Sequence, residues 1–120
     1  MLSPSQAALY RKLTLGDEAL MTSLFSGAES DSDPFNDPTT ALLRLAALIA
    51  VDADTPAYQR EVRDAIAAGA SPEQITGVLV SIARIAGSAV VMSAAPKLAL
   101  AMGYDVDAGL EDGASLESDG

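Results

Sequence analysis

A chain of 120 residues has the length of one domain, and its hydrophobic fraction of 49% is enough for a sizeable core. It has no cysteine and no histidine, which excludes disulfides, thiol chemistry and the commonest general base and metal ligand. Its formal net charge of −10 makes nucleic acid and anionic membranes poor partners.

That charge is unevenly placed. Glu29, Asp31, Asp33 and Asp37 share one segment; Asp105, Asp107, Glu111, Asp112, Glu117 and Asp119 share the tail. The remaining acids match the seven basic residues in number, so the folded core is formally neutral. Aromatic residues are only 4% and alanine is abundant, a composition for close helix–helix packing. An all-α fold of about six helices is expected.

Ser3 and Pro4 open a short helix, roughly Ser5 to Leu13, with Ala8, Leu9 and Leu13 as its apolar face. Gly16 breaks it. Asp17 caps a second short helix to about Phe25, with Leu20, Met21, Leu24 and Phe25 facing inward. GAESDSDPFNDP then reads as a loop, a solvated connector or, functionally, an active-site lid.

A third helix runs from Asp37 or Pro38 to Val51, with Asp37 as N-cap and Pro38 at the first helical position. It is apolar nearly all round, the pattern of a central helix buried on most sides. Arg44 is its one internal charge and needs a partner or a route to water. Thr55 and Pro56 start the fourth helix, which extends to Ala68, and Asp54 belongs to its cap. Its inward stripe is Tyr58, Val62, Ala65 and Ile66, with Glu61 at the edge. Arg60 and Asp64 are placed to pair on its outer face. Gly69 closes it.

Ser71, Pro72 and Gln74 form a capping box for the fifth helix, which runs to about Ala86. Ile75, Val78, Leu79, Ile82, Ile85 and Ala86 line one side. The back face of Gly77, Val80, Ser81 and Arg84 is too bland for free exposure, which implies a second packing surface and hence a homo-oligomer. The sixth helix, Ser88 to Met102, has the stripe Val91, Ala94, Ala95, Leu98 and Met102; Pro96 should kink it. Gly103 ends it. Residues 1–104 are thus expected as one helical domain and 105–120 as an acidic disordered tail. The longest apolar runs are too short to span a membrane, and the N-terminus has no basic region followed by an apolar run. A soluble cytoplasmic protein is expected.

Three stretches, DPTTALLRLAALIAV, AIAAGASPEQITGVL and IAG, follow one another between Asp37 and about Leu100. In that order they resemble the carboxymuconolactone decarboxylase family, which includes the AhpD-like alkylhydroperoxidases. The resemblance implies a helical bundle that assembles into trimers or larger rings. It does not bring the family chemistry. The family's Cys-x-x-Cys pair falls on Asp54 and Ala57, its histidine on Glu61 and its relay glutamate on Leu42. Thiol peroxidase activity and histidine-based decarboxylation are therefore excluded, and no cofactor is implied.

Two readings remain. In the first, the protein is a non-redox enzyme or a small-molecule binder. Glu61 is then its acid or base, Arg44 holds a carboxylate, and Tyr58, Leu42 and Arg84 line the ligand site. In the second, it is a catalytically silent homologue that works through oligomeric assembly or partner binding. Arg44 and Glu61 are then a structural ion pair, Tyr58 a core residue with its hydroxyl at the surface, and Arg84 an interface or surface residue. Either way Arg44 should be half-buried, within salt-bridge reach of Glu61 directly or through one water. Asp52, Asp54 and Glu61 have no repeated ligand spacing, so no metal site is expected.

Overall fold

Helix start signals dominate the local structure. Ser3, Asp17, Asn36, Asp54 and Ser71 each accept a backbone N–H three residues on, which satisfies one orphan donor of the first turn. Ser3 with Gln6 and Ser71 with Gln74 form complete capping boxes. The computed structural model describes residues 1–26 and 35–111. Over these the chain is all-α: α1 (Pro4–Leu15), α2 (Glu18–Phe25), α3 (Asp37–Ala50), α4 (Thr55–Ala67), α5 (Pro72–Ala86), α6 (Ser88–Ala101) and α7 (Val106–Glu111). No helix among the described residues is long and apolar enough to cross a membrane.

The cap of α3 lies one residue earlier than the sequence suggests, and that of α4 lies at Asp54 as expected. Asn36, not Asp37, caps α3 through a 2.9 Å bond from Thr39 N. Asp54 caps α4 through a 3.1 Å bond from Ala57 N. In both helices proline then occupies the second helical position, where it still forfeits no intrahelical bond.

The chain divides into two units, Met1–Pro34 and Phe35–Gly120. In the first, α1 and α2 pack on each other and bury no residue. Ala8, Leu20 and Met21 are half-buried, but Leu9, Leu13, Leu24 and Phe25 are exposed. The inward face expected for these four is corrected: two short helices shield only the strip along which they touch. The solvated connector falls largely on residues 27–34, outside the described residues.

In the second unit α3 lies against α4, α5 and α6. Leu45, Ile49, Tyr58, Val62, Ile75 and Leu98 are its largest fully buried side chains, and Ala41, Ala65, Ala70 and Ala94 fill between them. Alanine at the crossings lets the helices approach closely. α3 is central, but it buries one stripe, Ala41, Leu45 and Ile49, rather than most of its surface. Leu43, Arg44, Ala47 and Val51 are exposed on it. Ile66 and Ile85, expected inward on α4 and α5, are also exposed. α6 runs through Pro96 without a break. The disorder expected after Tyr104 is corrected over Val106–Glu111: Asp105 accepts a 3.2 Å bond from Ala108 N and starts α7. Residues 112–120 lie outside the described ones.

Candidate functional site

The site begins with the turn into α4. Once Asp54 caps the helix, the helical period carries Tyr58 onto the buried stripe and Glu61 to its border, one turn further on. Tyr58 is fully buried, and its hydroxyl has no hydrogen-bond partner among the described residues. The surface hydroxyl expected for it is corrected, because α4 packs on both α3 and α6 and closes over the ring. Burial pushes the phenol's pKa up, and the negative charge of Asp52 adds to the effect.

Glu61 is half-buried, and its Oε1 is wholly shielded without a hydrogen-bond donor among the described residues. Burial pushes its pKa above the usual carboxylate value; the Arg44 and Arg60 charges oppose this and Asp64 reinforces it. Arg44 acts on Glu61 through space but makes no ion pair with it. The one ion pair among the described residues joins Lys97 to Asp52. Arg44 is exposed, so its expected half-burial is corrected: its side of α3 is uncovered within the chain, and the guanidinium keeps its hydration. Arg60 and Asp64 likewise form no ion pair.

The remaining candidates lie elsewhere. Leu42 lines an apolar groove of about 410 Å³ between α3 and α5, together with Leu43, Ala46, Gly77, Val78 and Ile82. Arg84 is exposed in the last turn of α5. The grooves that described residues form along α3–α5, α4–α6 and α6–α7 include none of Glu61, Arg44, Tyr58 and Arg84. No group of three or more acidic side chains among the described residues is placed to hold a metal ion.

One polar cluster has no counterpart in the sequence reading. Asp52 follows α3 with a left-handed backbone, φ 51°. Its Oδ1 accepts 2.8 Å from Ser93 Oγ and 3.3 Å from Lys97 Nζ, and Lys97 also donates 3.1 Å to Ala53 O. The serine hydrogen bond and then the lysine hold the Asp52 carboxyl below the usual range. A carboxylate so held is a poor base, and the cluster serves to tie the end of α3 to α6. Ser93 and Lys97, four apart on one helix face, were visible in the sequence; their partner Asp52, 41 residues before Ser93, was not.

Compared with known proteins, the chain matches no family model, no curated protein and no solved structure.

Proposed function

We propose that this protein is a catalytically silent assembly module, a carboxymuconolactone decarboxylase-like helical protein without thiol chemistry that works by associating with copies of itself through α3 and α5. The observation that carries this reading is the uncovered apolar surface on those two helices. The α3–α5 groove has no charged residue in its lining, and Val80 beside it is 70% exposed. Large apolar surface left open on a small protein marks a contact site. A second copy suits it better than a charged partner, because an uncharged lining offers nothing to pair with. Association into a trimer or larger ring agrees with the family resemblance. A cysteine-free composition is compatible with work in the cytoplasm.

The test is charge insertion. Leu43→Glu and Val80→Glu, made separately, place a carboxylate on the proposed contact without touching the buried core. Each variant should retain its helical circular dichroism and run at the mass of one chain in light scattering, while the parent runs at a multiple. Variants that keep the parent's mass would remove α3 and α5 as the contact.

A second reading is favoured by one observation, the buried polar atoms of Tyr58 and Glu61 that lack partners. In it the α4 face binds a small non-redox ligand, with Glu61 as acid, Arg44 as a carboxylate clamp and Leu42 and Arg84 contributing once copies assemble. Ligand-dependent stabilisation that disappears in Glu61→Gln, with the oligomer mass unchanged, would favour it over silent assembly.

A further inference from the structure

The last helix is attached unlike the others. α7 packs on α6 alone among the described helices and buries none of its residues. It follows Gly103, whose φ of 92° favours glycine and reverses the chain at the end of α6. Two bonds back to α6 fix that turn: Gly103 N to Leu100 O at 3.0 Å and Tyr104 N to Ala99 O at 2.9 Å. Tyr104 then lies against the backbone of Gly109 in the middle of α7. A Cβ on Gly109 would collide with the Tyr104 hydroxyl and lie 3.1 Å from its Cζ. Glycine at a helix interior weakens the helix, so its position under the ring is an observation about docking rather than helix formation.

Under α7 lies a groove of about 240 Å³, bordered by Thr55, Pro96, Lys97, Leu100 and, from the α7 side, Val106 and Asp107. Leu100 also borders the neighbouring groove between α4 and α6, with Val62 and Ile66. We propose that α7 is a detachable strap: Tyr104, its amide held on α6, latches it by the ring set against Gly109, it swings after Tyr104, and its release joins the two grooves into one longer α4–α6 face. The device is independent of the α3–α5 contact, since none of its residues lies on α3 or α5.

Amide hydrogen exchange by NMR on the full chain tests the strap. In the parent protein the amides of residues 107–110 should exchange at least roughly tenfold faster than that of Leu98, by a local opening that denaturant does not accelerate. Tyr104→Ala removes the latch and Gly109→Ala wedges it apart. Each should speed exchange in 107–110 several-fold and leave Leu98 unchanged. Helix propensity alone requires the opposite for Gly109→Ala, because alanine is the better helix former and would slow exchange. Slower or unchanged exchange in Gly109→Ala overturns the proposal. So does exchange of 107–110 only together with Leu98 in global unfolding.

Discussion

At the scale of single residues, three side chains carry more than their positions suggest. Glu61 holds a shielded oxygen with no donor among the described residues, and burial raises its pKa above the usual carboxylate value. The sign follows from linkage. The folded state binds the Glu61 proton more tightly than the unfolded chain, so this group's contribution is fully present below pH 4.5 and is lost as pH rises through the folded pKa. Glu61→Gln should therefore raise the thermal midpoint at neutral pH, with the advantage shrinking as pH falls through the folded pKa and gone once pH is below the unfolded value. Melts of both proteins across that range check it; an advantage that grows in acid would contradict it. Tyr58→Phe removes a buried hydroxyl without a partner, and urea unfolding should show it unchanged or more stable by about 1 kcal/mol. Arg44→Ala should stay within about 0.5 kcal/mol of the parent, since Arg44 is exposed and makes no ion pair. A loss of several kcal/mol would mean that Arg44 does hold Glu61. In the sequence, Arg44 on an apolar helix looked half-buried because periodicity cannot say which apolar side goes uncovered.

At the scale of elements, the starts of helices were the most legible part of the chain. Ser3, Asp17 and Ser71 cap where their side chains and the following residues say they should. Asp54 also caps as expected, whereas Asn36 displaced Asp37 because proline is accepted at either of the first two helical positions, which leaves the cap uncertain by one residue. Asp54→Ala should cost about 1 kcal/mol in urea unfolding, and Thr55→Ala clearly less. A larger cost at Thr55 than at Asp54 would move the cap to Thr55. α7 escaped the sequence reading because six residues are too few to show a period; its start depends on Asp105, and its seat on the Tyr104–Gly109 contact. The Asp52–Ser93–Lys97 cluster escaped for a different reason, since a contact between the end of α3 and α6 leaves no local trace.

At the scale of the whole molecule, an all-α fold was readable from alanine content, caps and helical periods together. The division at Pro34 was not, since length alone argued for one domain. Nor was the dispersal of the candidate site. Leu42, Arg84 and the Glu61–Arg44 region lie apart in one chain, although the sequence reading grouped them in one site. Exposed Leu43, Val80 and Ile85 repeat the pattern on a larger scale: residues patterned for burial remain open on a chain of 12.2 kDa. Copies of the same chain are the cover this account assigns to them. Sedimentation velocity of the full chain at micromolar concentration tests that claim most directly. A boundary at three or more times 12.2 kDa is the predicted result, and a single boundary at 12.2 kDa that persists as concentration rises would contradict it.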